Sequence, residues 1–139
     1  MISCCHVDGS VCHLISAIYQ LSIYSSMPMS AQALLVFTNA PDVDTAERLA
    51  RILIERRVAA CVNILPAIRS FYHWQGQLET ATEVMLQIKT IQPHYAELEA
   101  VIKAAHPYAV PEIIAIPIVD GLPAYLDWIR QETDKDLNA

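Results

Sequence analysis

Glycine is scarce. Gly9, Gly76 and Gly121 are the only three, so no glycine-rich loop for phosphate is present. Basic residues are scarce too: 9 Lys and Arg stand against 15 Asp and Glu, for a net charge of −6. The isoelectric point of about 5.2 excludes the basic field that a nucleic-acid binder carries. No Lys or Arg precedes Arg48, and Asp8 is the only ionised side chain before residue 30. The start thus has neither the charged head of a secretory signal nor the arginines of a transit peptide. A long hydrophobic run is also missing. The best candidate, Val11–Tyr24, holds His13, Ser16, Gln20 and Ser22 and falls short of the roughly 20 apolar residues of a membrane span. G-x-S-x-G, H-E-x-x-H and G-x-x-x-x-G-K do not occur, so no enzyme is expected.

What the chain does have is material to bury. It has 139 residues, 54% apolar and 17% charged, with a mean hydropathy of +0.31. A soluble domain usually carries about 25% charged residues. One domain of ordinary size is expected, with part of its surface covered by a partner. Cys4, Cys5 and Cys12 crowd the start and Cys61 stands alone in the body, a poor disulfide framework that predicts a reducing, cytoplasmic setting. Residues 1–30 are expected to be a poorly ordered extension, and residues 31–139 the domain. Met27 and Met29, just ahead of the first convincing strand, suggest an upstream start codon as the origin of residues 1–28. The alternative is a metal-binding tail built on Cys4, Cys5, His6, Cys12 and His13, although zinc ligands usually come as two spaced pairs.

Hydrophobic spacing gives the elements of the body. Ala33–Thr38 is a short apolar run and reads as a central strand. A turn follows over Asn39–Asp42. Asp44 with Glu47 three residues on predicts a helix start, and Ala46, Leu49, Ala50, Leu53 and Ile54 give a helix over about 45–57. Ala59–Leu65 is a second strand, interrupted by Pro66 and continued as Ile68–Trp74. Gln75–Gln77 is a hairpin turn, and Glu83–Thr90 a half-buried third strand. Pro93 opens a second helix that His106-Pro107 ends. Ile113–Ile118 is a fourth strand, Leu122–Ile129 a short third helix, and 132–139 a polar tail.

This order, β-α-β-β-α-β plus one helix, predicts an α+β, ferredoxin-like fold with an antiparallel sheet of order 4-1-3-2. Pro66 and Pro117 then fall in the two edge strands, where proline is tolerated. Both main helices cover one sheet face. Cys61, Asn63, Leu65, Met85, Gln87 and Lys89 point from the other, a set too apolar to stay wet. Tyr72 and Trp74, on a hairpin that outruns the sheet, are expected to anchor an interface. A homo-oligomer that covers the bare face and pairs the edges is predicted.

Three segments resemble the CutA family. Ala59-Ala-Cys-Val-Asn-Ile-Leu-Pro66 is similar to its A-A-C-V-N-I-[IL]-P segment, Ser70-Phe-Tyr-His-Trp-Gln-Gly76 to its S-x-Y-x-W-x-G hairpin, and His106-Pro-Tyr-Ala-Val-Pro-Glu-Ile113 to its H-P-Y-x-x-P-E-[IL] segment. The resemblance runs from about Ala33 to about Arg130 in the right order. It implies a tight homotrimer of PII-like architecture, and a role in tolerance of divalent cations, copper especially.

On that footing His106, at a helix end, is the leading candidate ligand for Cu²⁺ or another divalent cation. The family's second adjacent His has no counterpart, because Ala105 stands there. A metal-linked Cys in the first strand is likewise replaced in the Phe37–Asn39 region. Cys61 is the second candidate, set against a buried, inert thiol between Ala60 and Val62. Asn63, Lys89, Tyr108 and Glu112 are expected to form a polar cluster at the subunit junction, either a site or an ion pair that fixes register. His73 is expected at the surface. No cation is expected to be needed for folding. The competing function is a PII-like signalling or scaffolding trimer with a small-molecule or protein partner.

Overall fold

The computed structural model describes residues 32–136. The expectations for residues 1–30, including Cys4, Cys5, His6, Cys12 and His13, lie outside them. The first strand, β1 (Ala33–Ala40), shows the alternation that a sheet with one packed face imposes. Leu34, Val36, Thr38 and Ala40 are buried, while Leu35, Phe37 and Asn39 are half-buried. The chain continues as α1 (Val43–Glu55), β2 (Cys61–Trp74), β3 (Gln77–Ile91), α2 (Tyr95–Ala105), β4 (Ile114–Pro117) and α3 (Pro123–Glu132), with a 3-10 turn over Gln92–His94 ahead of α2. Strand order is β2-β3-β1-β4, and every pair is antiparallel. The expected α+β arrangement with order 4-1-3-2 is therefore present.

The core lies between the sheet and the first two helices. Val36, Leu86 and Ile88 pack against Leu49, Leu53, Leu98 and Ile102, all fully buried. Several boundaries differ from the sequence expectation. Helix α1 starts two residues earlier, because Asp42, not Asp44, is its N-cap: the Asp42 carboxylate accepts the Thr45 amide at 2.7 Å. Strand β1 runs on through Asn39 and Ala40, which pair with Met85 and Val84. Strand β3 begins at Gln77 rather than Glu83, so β2 and β3 form one long hairpin arm. Its two-residue turn, Gln75 (φ 49°) and Gly76 (φ 79°), has the left-handed backbone that matches strand twist. Pro66 does interrupt the ladder: pairing shifts between Leu65 and Ile68, and Ala67 takes φ 61°.

The C-terminal residues correct two further expectations. Thr133 lies in the expected polar tail, yet it is fully buried. Its hydroxyl donates to the Ile129 carbonyl at 2.8 Å, and its own carbonyl accepts from His94 Nε2 at 2.7 Å. The second sheet face is also not wholly bare. Cys61 pairs with Lys89 and points away from the helices that cover Val62 and Ile88. Tyr125 of α3 lies beside Cys61, and α3 touches β1 and β3. Helix α3 therefore covers that end of the face. Phe37, Asn63, Leu65, Met85, Gln87, Ile114 and Ile116 remain around the open part. No helix among the described residues is long and apolar enough to cross a membrane.

Candidate functional site

At the root of the hairpin arm the chain leaves a cleft of about 880 Å³. Its walls come from β1 (Asn39), the arm (Ser70, Phe71, Tyr72, Trp74, Glu79, Glu83) and the segment after α2 (Pro107–Val110 and Glu112). Strand geometry explains how the arm contributes. At the Pro66 bulge the pairing slips, so Glu83 and Val84 are buried at successive positions, against the ordinary alternation. Glu83 is held by two hydroxyls: Ser70 Oγ donates to one oxygen at 2.5 Å and the Tyr108 phenol to the other at 3.1 Å. Burial, and then the hydrogen bond to Glu83, raise the Tyr108 phenol above its ordinary value, which keeps it a donor at neutral pH.

His106 stands behind the opposite wall, next to Pro107 and Tyr108. Helix α2 ends there because Pro107 follows. The Tyr108 amide donates to His106 Nδ1 at 3.1 Å, so the ring proton sits on Nε2, which donates to the Asn39 carbonyl at 2.7 Å. The Tyr108 ring lies 4.9 Å from the imidazole, centre to centre. One buried side chain thus ties the end of β1 to the cleft wall. Asn39 Nδ2 in turn donates to Glu112 at 2.6 Å, while Asn39 Oδ1 is buried without a partner.

The sequence-predicted residues divide into two places. Tyr72, Trp74, Tyr108 and Glu112 meet at the cleft. Asn63 and Lys89 meet on the open sheet face, where the Lys89 ammonium donates to the Asn63 side chain. Within one subunit the four residues expected to cluster are therefore split between two places, because Tyr108 and Glu112 follow α2 to the Asn39 end of β1, where they bond Glu83 and Asn39, while Lys89 pairs at the Leu35 end. Cys61 is half-buried beside Tyr125, not enclosed in the core as its apolar neighbours suggested. Burial first, and then the adjacent sulfur, raise the Tyr125 phenol. His106 and Cys61 do not share a site in the subunit, and no group of three His, Cys, Asp or Glu side chains among the described residues is placed to hold a metal ion. His73 is exposed on the arm, opposite Leu78.

Sequence reasoning missed Asn39, Ser70, Glu79 and Glu83. Only Glu83 left a signal, as a carboxylate directly preceding the apolar alternation of β3 and across from the proline-marked bulge.

A family described as "CutA1 divalent ion tolerance protein" matches residues 34–132. The divalent-cation tolerance protein CutA of Thermus thermophilus is 43% identical over 99 residues, which are 71% of this chain and 96% of that protein. The crystal structure of CutA from Xylella fastidiosa superimposes with a TM-score of 0.72 at 44% identity, over 73% of this chain and 98% of that one. The structure of CutA from Archaeoglobus fulgidus, described as periplasmic, gives 0.72 at 43% identity, over 73% and 99%.

Proposed function

The chain belongs to the CutA1 divalent ion tolerance family, and from that premise we propose that it is a cytoplasmic homotrimer that serves the response to metal ions through weak binding of Cu²⁺ or another divalent cation. One observation carries the reading: the family match spans nearly all of the described domain. The surface supports self-association. Ile114 and Ile116 are 51% and 48% exposed on edge strand β4, beside Phe37, Leu65 and Met85 on the open sheet face. Tyr72 and Trp74 keep 44% and 58% of their surface on the arm, enough to anchor a neighbouring subunit.

Weakness follows from the donors. His106 offers a lone pair only by giving up its bond from the Tyr108 amide, and Cys61 stands apart from it. The role is binding rather than catalysis, and no cation is needed for folding, since the core closes on hydrocarbon. Light scattering and calorimetry with Cu²⁺, Zn²⁺ and Ni²⁺ test the reading. A trimer with weak heats that shrink in His106→Ala and Cys61→Ala is expected. A folded monomer at micromolar concentration overturns the association, and identical heats in parent and variants remove both side chains as ligands. The cleft favours a second reading, a PII-like signalling or scaffolding trimer that binds a small molecule or protein partner there.

A further inference from the structure

The link between β4 and α3 brings two reactive groups of the chain together. Asp120 and Gly121 lie there, outside helix and strand, and both are exposed. The Gly121 amide donates to Oδ1 of Asp120, the residue just before it, at 2.8 Å. No other hydrogen bond among the described residues holds that amide. The aspartate side chain is thus folded back over the following peptide bond, with the Gly121 nitrogen close to the carboxyl carbon. Those are the two atoms that closure of a five-membered ring would join, and groups held in contact react as one molecule. Glycine leaves the approach to the nitrogen unhindered, since it has no Cβ. The other aspartates of the described residues, Asp42, Asp44, Asp127, Asp134 and Asp136, all precede a residue that has a side chain. Asp42 is also committed to the cap of α1, and Asp44 and Asp127 to helices.

We infer that Asp120-Gly121 is a site of spontaneous backbone modification, at which the folded chain closes to a succinimide and reopens to isoaspartate. The Gly121 nitrogen attacks Cγ of the protonated Asp120 carboxyl. The N–Cγ bond forms, the Cγ–OH bond breaks, and the hydroxyl leaves with the amide proton as water. Nothing is oxidised or reduced. Water then adds to one of the two ring carbonyls and breaks its bond to nitrogen. Cleavage at Cγ restores aspartate. Cleavage at the main-chain carbonyl leaves the chain running through Cβ and Cγ, with one more methylene in the backbone and the carboxylate as the side group. That methylene enters the turn that seats α3. The Leu122 carbonyl accepts the Tyr125 and Leu126 amides at 2.9 and 3.1 Å, and even a Cβ on Gly121 would come within 3.3 Å of Leu126 Cδ2. A longer backbone there displaces the first turn of α3, the helix that covers the Cys61 end of the sheet face.

The full chain is aged at physiological temperature and neutral pH, beside the same chain unfolded in urea. Peptide mapping with a protease that cuts before aspartate but not before isoaspartate reads each site separately, Asp8 before Gly9 included. Isoaspartate is expected to accumulate at Asp120 of the folded chain and not at Asp42 or Asp127. Asp120→Glu, at an exposed position, should lower the yield at least about tenfold, because the longer side chain takes the carboxyl carbon out of reach of a five-membered ring. Asp120→Asn keeps the length and loses ammonia in place of water, so the folded variant should convert faster than the parent, read as the mass gain of deamidation. Isoaspartate at Asp120 that forms only in urea, or in neither sample, overturns the inference, and so does an Asp120→Asn chain that stays intact while folded. Hydrogen exchange then compares the aged fraction with fresh protein. Faster exchange over residues 123–132 is expected, and unchanged exchange there overturns the link to α3.

Discussion

His106→Ala separates a clamp from a spare imidazole. The side chain is buried and makes two hydrogen bonds, at 2.7 Å to the Asn39 carbonyl and at 3.1 Å from the Tyr108 amide. A net hydrogen bond contributes about 1 kcal/mol, and a polar group left buried and unpaired costs about 1–3 kcal/mol. Both orphaned groups border a cleft that water enters, so the lower part of that range applies. The lost imidazole also leaves a void against the Tyr108 ring, which adds about 1 kcal/mol. The sum is a destabilisation of about 2–4 kcal/mol. Urea denaturation at several protein concentrations measures it and exposes any linkage to association. His106→Gln keeps an amide donor for the Asn39 carbonyl and should recover about half of the loss. An alanine variant within about 0.5 kcal/mol of the parent, the ordinary range for surface changes, would refute the clamp.

Three further outcomes are expected. Leu86→Ala, at a fully buried position in the centre of β3, should cost about 2–5 kcal/mol in the same denaturation assay, and a loss under about 1 kcal/mol would contradict the core assignment. The Thr45 backbone hydrogen bond holds the Asp42 carboxyl below its ordinary value, so its contribution is present above the carboxylate range and is lost as pH falls through the folded value. Asp42→Asn keeps an acceptor for the cap and removes that titration, so its thermal midpoint should drop less than the parent's between about pH 5 and pH 3, and equal slopes would refute the link. Gly76→Ala meets no atom within 4 Å but must hold φ at +79°, so a cost of about 1 kcal/mol from backbone alone is expected. A neutral result there would mean that the turn relaxes.

The strands were legible because their alternation reports burial directly. Val84, Leu86 and Ile88 point inward as their spacing predicts, and the edge positions of Pro66 and Pro117 agree with the strand order. Local caps were less legible. Asp42 and Asp44 both precede an apolar stripe, and only the backbone path after Pro41 decides which carboxylate meets the Thr45 amide. The cleft was legible only in part: Tyr72, Trp74, Tyr108 and Glu112 were singled out, but not their meeting with Asn39, Ser70 and Glu83. Ser70, Glu83 and Tyr108 form one hydrogen-bonded group only because a bulge turns Glu83 inward and His106 anchors the chain beyond α2. No periodicity encodes such a meeting. Thr133 misled for a related reason: a polar residue reads as surface until bonds to Ile129 and His94 satisfy it.

The open sheet face shows how one unread contact changes a larger conclusion. The sequence offered the whole second face as bare, because a short amphipathic helix carries no mark of the face on which it settles. The closeness of Tyr125 to Cys61, with the contacts of α3 to β1 and β3, places α3 over the Lys89 end. The Asn63–Lys89 pair sits at the border of that cover, where its polar contact does not compete with apolar packing. What remains for a partner is a smaller patch around Phe37, Leu65, Met85, Ile114 and Ile116. A stable interface buries about 800 Å² on each partner, a demand that one end of a four-stranded sheet meets poorly alone. The proposed trimer must therefore draw on the hairpin arm as well as the face. Shortening the arm by deleting residues 71–80 and closing it with a two-residue turn should then abolish association while the core of α1, α2 and the sheet still folds.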